Sequence, residues 1–462
     1  MDRWVEAIVH VVSFTRSGLS LSVTFRHSMH NNTGAYENRL KNGKSAFEYI
    51  EVFERSNNIT RSTLSNKNVQ ELLKSNSTFD AIIFDFVLND AFLGFSERFN
   101  APIIAFSSPG ENALINYLTG SPNSPSFVPG LSTTYKSDMT FFQRVHNVFI
   151  NFASNFLIET VYVKSKMKYI MNSSQILRIV FPKQNVSLVL SNSHPLLRFA
   201  SPQMTNFIEV GGLHLKKSNL TKIPERILNF IESASDGVIY FSLGSTKGSD
   251  PTGLPRKTFE AILEGFGRLS RKVLFKCNSD LSNLEIPKNV FLSNWFPQES
   301  ILAHPKVKLF ITHGGKGGLY EAMYYGVPIV GIPLGCDNYQ AITKLVEEGF
   351  GISIDLDILT SNLLENSVNF VLSNDTFQHK ADAISKAFRD YPIDPLETTV
   401  QWIEHVIKHK GLIHMKSKAP ELGFVQYFSL DVILFVAGLI CLVVYGVLDM
   451  IKTNMNRKLK TV

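Results

Sequence analysis

The sequence predicts an α/β protein built from doubly wound parallel sheets. Short apolar runs of strand length alternate with segments of helical periodicity through most of the chain, a pattern typical of parallel sheets covered by helices. The 462 residues, 44% hydrophobic and 19% charged, are enough for two domains that each bury a core. One of the strand-to-helix turns is glycine-rich.

The first half contains two predicted buried strands, at residues 80–85 and 101–106, with a helix at 90–99 between them. Asp85 ends the first strand, at the edge where open α/β sheets bind ligands. A strand-end cap is the plain alternative for Asp85, and Asp90 is a rival carboxylate nearby. From the residues alone, the strand-end cap is the favoured interpretation of Asp85.

The N-terminal segment does not show this pattern. We find no first strand with a glycine-rich turn before Phe79, so the opening βα units are expected to be missing. The first apolar run also contains Glu6 and His10, which is unlike the core of a signal peptide. We therefore expect the start of the protein to be absent from this sequence.

The second half begins after the glycine break at Gly211 and Gly212. A helix with apolar periodicity is predicted at residues 257–269. Buried strands are predicted at residues 237–243, 272–276, 289–293, 307–311 and 329–332. Because strands and helices alternate, this half is also predicted to be a parallel, doubly wound sheet.

Residues 295–351 are the most informative part of the chain. The strand at 307–311 runs into His313-Gly314-Gly315 and then into a helix that carries Glu321. Glycines at such a turn let backbone N–H groups approach a phosphate, and the helix dipole favours the negative charge. The stretch therefore indicates a nucleoside-diphosphate site. A His-Gly-Gly triplet alone is more often a plain turn, so this interpretation depends on its neighbours.

Those neighbours resemble the signature of UDP-glycosyltransferases, in particular the membrane-bound animal UDP-glucuronosyltransferases. The matching residues are Trp295, Pro297, Gln298, His304, Pro305, residues 310–315, Glu321, Ala322, Gly326, Val327, Pro328, Pro333 and Asp337. The resemblance implies the GT-B fold, in which two Rossmann-like domains face a cleft. It also implies inverting transfer of a hexose or glucuronic acid from a UDP-sugar to a small lipophilic acceptor.

The resemblance gives three residues a role at the nucleoside. Trp295 is expected to stack on uracil, Gln298 to hydrogen-bond the nucleoside and Glu321 to accept hydrogen bonds from the ribose hydroxyls. Each has a plain alternative, Trp295 as a core residue and Glu321 as an exposed helix residue, and each alternative is favoured when the residue is taken singly. The combined spacing favours the functional interpretation.

The remaining donor residues are implied in the same way. Ser245, His313 and the backbone at Gly315 would hold the diphosphate. Asp337 and Asn338 would bind the transferred sugar. Together with the helix dipole, these groups would stabilise the UDP leaving group.

Three positions depart from the family pattern. Asn338 stands where the family usually has glutamine, and Ala341 replaces a later asparagine. Gly317 occupies a position that commonly holds a polar phosphate contact. We expect the shorter Asn338 side chain to reach less far towards the sugar, and Gly317 to leave only backbone N–H donors.

In the first half, Asp85 matches the family's catalytic aspartate, which orients a base histidine and stabilises its positive charge. Because that histidine follows the first strand, we assign none of His10, His27 and His30 as catalytic. The segments at 122–129 and 141–144 resemble the region that shapes the acceptor pocket, and the phenylalanines there suit an apolar acceptor. The 35 phenylalanines of the chain are equally consistent with ordinary core packing.

The C-terminus predicts a membrane anchor. An uncharged apolar run at 432–448 approaches the ~20 residues that a spanning helix requires, and a basic tail follows it. The tail is therefore predicted to be cytoplasmic and the body luminal, and Lys458 and Lys460 resemble a signal for return to the endoplasmic reticulum. Seven N-glycosylation sequons are compatible with a luminal glycoprotein, although several are expected by chance in a chain rich in Asn and Ser; they are at Asn31, Asn58, Asn76, Asn172, Asn185, Asn219 and Asn374.

These features divide the chain into five predicted segments. Residues 1–210 form an acceptor-binding domain without its first βα units, and residues 211–400 form a UDP-sugar-binding domain. A closing helix and linker at 401–430, a transmembrane helix at 431–449 and a basic tail at 450–462 complete the chain.

Composition narrows the partners. The net charge of +6 is mild and scattered, so nucleic acid is not expected. Cys277, Cys336 and Cys441 lack metal-ligand spacing, and we expect neither a metal nor a cofactor, the UDP-sugar being the donor substrate. The expected partners are a UDP-sugar, a small lipophilic acceptor and a membrane, and a homo-oligomer is left open.

Three hypotheses follow. The chain is an active membrane-anchored UDP-glycosyltransferase; or it is a pseudoenzyme that binds a UDP-sugar, or a truncated product, without the catalytic histidine; or it is a tail-anchored interaction protein with a cytosolic body.

Overall fold

The computed structural model describes residues 6–15, 18–28, 48–86, 89–131, 133–164, 186–215, 220–245, 250–278 and 285–459. The chain divides into two compact units, residues 1–416 and 417–462. The first unit contains two six-stranded sheets, and the second contains a long apolar helix.

Each sheet is formed by one half of the first unit. The strands are β1 (Glu6–Thr15), β2 (Gly18–Ser28), β3 (Ala81–Asp85), β4 (Ile103–Ser107), β5 (Val186–Ser191), β6 (Phe207–Glu209), β7 (Val238–Ser242), β8 (Lys272–Lys276), β9 (Val290–Ser293), β10 (Val307–Thr312), β11 (Ile329–Gly331) and β12 (Gly351–Ser353). Their order is β2-β1-β3-β4-β5-β6 in the first sheet and β12-β11-β10-β7-β8-β9 in the second. All neighbours are parallel except that β1 runs antiparallel to β2 and β3.

Helices connect these strands. The described helices are α1 (Glu48–Ser65), α2 (Lys67–Lys74), α3 (Gly94–Phe99), α4 (Ala113–Thr119), α5 (Phe141–Leu157), α6 (Glu225–Glu232), α7 (Arg256–Arg268), α8 (Gln298–Leu302), α9 (Lys316–Tyr325), α10 (Cys336–Glu347), α11 (Ser361–Ser373), α12 (Asp375–Arg389), α13 (Pro395–Lys408), α14 (Phe424–Tyr427) and α15 (Leu430–Leu459). One-turn helical segments lie at Asp90–Leu93, Ile158–Tyr162, Pro251–Gly253, Leu356–Ile358, Ile413–Met415 and Ala419–Glu421.

The predicted parallel strands are confirmed. The bounds of each predicted strand agree with those of an observed strand to within two residues. The pairs are 80–85 with β3, 101–106 with β4, 237–243 with β7, 272–276 with β8, 289–293 with β9, 307–311 with β10 and 329–332 with β11. These strands are predicted correctly because both faces of each sheet are buried, so that nearly every residue of the strand is apolar. In β7, Ile239 and Phe241 pack on one side, whereas Val238 and Tyr240 pack on the other.

Before Phe79 the described residues form two strands that the sequence pattern did not indicate, and the absence of the opening βα units stays a prediction. The β1–β2 hairpin extends the first sheet, and β1 pairs with β3 through residues such as His10, opposite Ile83. Polar residues interrupt the apolar pattern of this hairpin, and its antiparallel pairing makes it different from the parallel βα unit that we sought.

Helix α13 returns the chain to the first sheet. Asp394 caps it, since its Oδ1 accepts from the N–H groups of Leu396 at 2.9 Å and Glu397 at 3.1 Å. Val406 is buried in the same apolar cluster as Ile104 of β4, so residues at the end of this unit stabilise the half that begins it. Helix α13 occupies part of the predicted closing segment, and the predicted domain limits stay a prediction.

The second unit is described by itself. Residues 430–453 of α15 form a stretch of 24 residues with mean hydropathy 2.6 and no buried residue. At ~1.5 Å per residue this stretch is long enough for the ~30 Å hydrocarbon core of a bilayer. Length and composition therefore allow α15 to cross a membrane.

Candidate functional site: the carboxyl edge of the second sheet

The turn between β10 and α9 requires both of its glycines. Gly314 has a φ of +90°, and a β-carbon there would lie 2.5 Å from Ile342 Cδ1. A β-carbon on Gly315 would lie 2.6 Å from Cε1 of His313. The two glycines thus let the imidazole fold over the start of α9, whose free N–H groups favour an anion.

His313 is neutral at physiological pH. Burial, helped by the nearby Lys276 ammonium, lowers the pKa of His313 to about 4. The neutral imidazole can form hydrogen bonds at the carboxyl edge of the second sheet, but it carries no positive charge.

Lys276 supplies that charge, and the sequence analysis did not identify it. It ends β8, is only 6% exposed, and donates from Nζ to the Gly244 carbonyl at 2.7 Å. The same Nζ lies 5.0 Å from the ring centroid of Trp295. The sequence offered only a weak signal, the place of Lys276 at the carboxyl end of a predicted strand, because a lysine at a strand end is usually solvated.

Trp295, Gln298 and Glu321 lie together. The Trp295 residue is 40% exposed, not a core residue, so part of its surface is open to a ligand. Gln298 Nε2 donates to Glu321 Oε2 at 2.5 Å, and the Tyr240 hydroxyl donates to Gln298 Oε1 at 3.2 Å. The Glu321 side chain is 13% exposed, which differs from the exposed helix face considered as its alternative.

Burial gives the Glu321 carboxyl unusual acid–base behaviour. It raises the pKa of Glu321 from 4.5 to about 7, against the lowering effect of the Gln298 hydrogen bond. His214, also missed by the sequence analysis, places Nε2 3.8 Å from Glu321 Oε1, and burial lowers the pKa of this histidine. The ribose-binding candidate is therefore a carboxyl that is half ionised near neutral pH.

The proposed sugar-binding pair begins α10. Asp337 is half-buried in its first turn, and Asn338 is 2% exposed. Asn338 Oδ1 is buried without a hydrogen-bond partner among the described residues. Nearby, Gln340 Nε2 donates to the Pro129 carbonyl at 2.8 Å, which brings the predicted acceptor segment 122–129 to this helix. Asn338 thus lies beside the glycine turn, where its carbonyl oxygen would be 3.3 Å from a β-carbon on Gly314, and its side-chain oxygen is buried.

The other predicted positions differ in accessibility. Ser245 is exposed in the loop that follows β7. Gly317 is exposed, and a β-carbon on it would meet only His214 Nε2, at 4.0 Å, among the neighbours that the structure describes. Ala341 is 2% exposed and packs in the core, so its small side chain contributes packing.

The two aspartates of the first sheet have different environments. Asp85 ends β3 and is half-buried, and its carbonyl accepts from Asn89 Nδ2 at 3.0 Å. Asp90 is 1% exposed and accepts from Ser56 Oγ at 3.3 Å. Asp85 therefore lies at the carboxyl edge of the first sheet, whereas Asp90 is part of a buried polar cluster.

The early histidines receive no role from the structure. His10 and His27 lie in β1 and β2, and His30 is outside the described residues. Four of the sequons, at Asn31, Asn172, Asn185 and Asn219, and the tail residue Lys460 are also outside the described residues.

Comparison with known proteins agrees with this geometry. The family model described as "UDP-glucoronosyl and UDP-glucosyl transferase" matches residues 6–462. UDP-glucosyltransferase 2 of Dactylopius coccus is 34% identical over 371 residues, covering 78% of this chain and 70% of that protein. UDP-glucuronosyltransferase 1A6 of Mus musculus is 32% identical over 409 residues, covering 85% of this chain and 74% of that protein.

Solved structures match the fold. The glycosyltransferase of kitacinnamycin superposes with a TM-score of 0.53 at 18% identity, covering 78% of this chain and 83% of its own. Glycosyltransferase VinC, solved with dTDP, gives a TM-score of 0.52 at 17% identity, covering 83% of this chain and 86% of its own. The two parallel sheets are thus the GT-B arrangement, and the chain belongs to the family of UDP-glucuronosyl and UDP-glucosyl transferases.

Proposed function

We propose that this UDP-glycosyltransferase moves a hexosyl or glucuronosyl group, with inversion, from a UDP-sugar to the hydroxyl of a small lipophilic acceptor. The observation that carries the proposal is the chain of hydrogen bonds Tyr240–Gln298–Glu321 beside the exposed Trp295 ring. A flat ring, an amide and a carboxylate match the base face, the base edge and the ribose hydroxyls of uridine. Few other ligands need these three groups together.

The donor residues would act on the leaving group. The N–H groups at the start of α9, His313, Ser245 and the Lys276 ammonium would surround the diphosphate and stabilise the charge that develops on UDP. Asp337 and Asn338 would hold the sugar hydroxyls. This arrangement uses only side chains and backbone dipoles, so we propose that no resident metal or cofactor takes part.

The acceptor half would activate the nucleophile. The acceptor oxygen attacks the anomeric carbon as a base removes its proton, and the bond from that carbon to UDP breaks on the opposite face. Asp85, at the carboxyl edge of β3, would stabilise the protonated base. The segment ending at Pro129, which is hydrogen-bonded to α10, would place the acceptor near the donor sugar.

Turnover by the purified full chain in detergent tests this proposal. With UDP-glucose or UDP-glucuronate and a simple phenol, we expect UDP release and a β-linked product from the α-linked donor, detected by NMR. UDP binding without turnover would favour the pseudoenzyme hypothesis. Absence of UDP binding would favour the tail-anchored interaction protein.

We further propose that the protein is anchored in the membrane of the endoplasmic reticulum, with a luminal body and a cytoplasmic C-terminus. The apolar α15 and the basic residues around Lys458 support this orientation. The sequon residue Asn76 lies exposed between α2 and β3, and Asn58 is exposed on α1, so both are accessible to a glycosyl transfer machinery in the lumen.

Glycosylation of Asn76 is a prediction of this topology. In microsomes, the wild-type chain is expected to gain electrophoretic mobility after endoglycosidase H treatment, because luminal sequons in exposed loops are modified. An Asn76→Gln variant should migrate as a protein with one glycan fewer, and Ser77→Ala, which keeps the sequon, should match the wild type. A cytosolic body would show no shift in any of the three.

A further inference from the structure

A buried lysine begins the phosphate-binding helix. Lys316 is the first residue of α9 and is 9% exposed, and its ammonium makes no hydrogen bond or ion pair with any residue that the structure describes. A positive charge is unfavourable at a helix N-terminus, and an unpaired charge is unfavourable in a protein interior. Burial accordingly lowers the pKa of Lys316, with the Asp337 carboxylate opposing this effect.

The Lys316 ammonium reaches across the cleft between the two sheets. A β-carbon built on Gly110, in the turn after β4, would lie 2.4 Å from Lys316 Nζ, so the ammonium lies against the backbone of this turn. One turn further along α9, the Tyr320 hydroxyl donates to the Asn192 carbonyl at 3.1 Å, just after β5. The ammonium therefore lies where the carboxyl edges of the donor and acceptor halves meet.

The groups around the ammonium are already occupied. The Gly110 carbonyl accepts from Ser107 Oγ at 2.5 Å. Glu111 accepts from Ser201 Oγ at 2.5 Å, and Glu209 is paired with Arg198. Glu111 and Glu209 stabilise the ammonium through space, as Asp337 does, but neither forms a hydrogen bond or ion pair with it in the part of the chain that the structure describes, so the ammonium can still bind an anion directly.

The position of the charge identifies the part of the donor that it faces. Asp337, proposed to hold the sugar hydroxyls, lies in the first turn of α10, and the carbonyl oxygen of the adjacent Asn338 would lie 3.3 Å from a β-carbon built on Gly314, two residues before Lys316. The Asp337 carboxylate also opposes the lowering of the Lys316 pKa. The diphosphate has its own groups in His313, Lys276 and the turn at Gly315. On a pyranose ring, the substituent at C5 is adjacent to the C4 hydroxyl, so an anionic C6 group would lie next to the hydroxyls bound by Asp337.

We propose that Lys316 binds the C6 carboxylate of a uronic-acid donor and makes this chain prefer a UDP-uronate to an uncharged UDP-hexose. This inference rests on the proposed function, because it places a sugar beside Asp337. The carboxylate completes an ion pair in a water-poor cleft, whereas a CH₂OH group leaves the ammonium unpaired.

Calorimetry on the full chain in detergent, with UDP, UDP-glucose and UDP-glucuronate, tests the assignment. Lys316→Gln is expected to weaken UDP-glucuronate binding by about 10- to 100-fold, as for a lost charge-assisted hydrogen bond, and to leave UDP and UDP-glucose nearly unchanged. Lys316→Met, which keeps much of the side-chain length without charge, should show the same selective loss. Lys308→Gln, at an exposed position in β10, is the matched control and should bind all three as the wild type does.

Three results would overturn the assignment. An equal loss for all three ligands would show that Lys316 contacts the β-phosphate. Unchanged affinities in folded variants, verified by thermal denaturation, would show that the lysine only joins the two halves. A wild-type chain that binds no UDP would overturn the proposed function itself, and this assignment with it.

Discussion

A Glu321→Gln variant is expected to bind UDP about 10- to 100-fold more weakly than the wild type, because hydrogen bonds from ribose hydroxyls to a carboxylate are charge-assisted. The amide keeps the size of the side chain and can still accept from Gln298 Nε2, which donates to Glu321 at 2.5 Å. Isothermal calorimetry on the two proteins measures the difference directly.

The same substitution is expected to stabilise the ligand-free protein at high pH. Since burial raises the pKa of the Glu321 carboxyl from 4.5 to about 7, its ionisation opposes folding. The contribution of this group is most favourable below pH 4.5 and is lost as the pH rises through 7, by about 3 kcal/mol in total. The variant should therefore have the higher Tm at pH 8.5 and a nearly equal Tm at pH 5.

Binding and pH are linked with the opposite sign. UDP requires the ionised carboxylate, so wild-type affinity should increase as the pH rises from 6 to 8, relative to Glu321→Gln. Protonation of UDP itself affects both proteins and cancels in their ratio. Glu260→Gln, which removes an exposed carboxylate on α7, should change neither UDP affinity nor its pH dependence. A constant ratio between wild type and Glu321→Gln across this range would contradict the ribose assignment.

Sequence reasoning identified the parts of the site that local pattern specifies. Strands such as β8 are readable because both of their faces are buried, and the turn at Gly314 because the φ of +90° and the close Ile342 side chain admit only glycine. A single helix, α9, fixes the distance from this turn to Glu321. The strands, the turn and this spacing all depend on residues that are close together in the sequence, so the sequence alone predicts them.

The residues that were missed depend on distant packing. Lys276 and Lys316 look like ordinary solvated lysines in the sequence, and only the tertiary structure buries them against Trp295 and Gly110. His214 follows an interdomain glycine break, yet its neighbour Glu321 is more than one hundred positions away. Which sheet α13 covers is likewise decided by contacts between the two ends of the unit.

An Asp85→Asn variant is expected to lose turnover by about 10²- to 10⁴-fold, the usual contribution of a group that acts in general acid–base catalysis. Asparagine has the same shape but cannot stabilise the positive charge of a protonated base. Because Asp85 lies in the first sheet and the uridine-binding candidates lie in the second, UDP affinity should stay close to that of the wild type. Steady-state kinetics with saturating UDP-sugar, combined with UDP calorimetry, separates these two quantities.

Two neighbouring aspartates make this experiment decisive. Asp80 is exposed just before β3, so Asp80→Asn should retain wild-type turnover. Asp90→Asn should mainly reduce the free energy of unfolding, because Asp90 is 1% exposed and accepts a hydrogen bond from Ser56 in a buried cluster. If folded Asp90→Asn loses turnover while Asp85→Asn keeps it, the catalytic role belongs to Asp90. The half-buried position of Asp85 at the carboxyl edge of β3 favours the opposite result, because a catalytic carboxylate must lie within reach of the base that it stabilises.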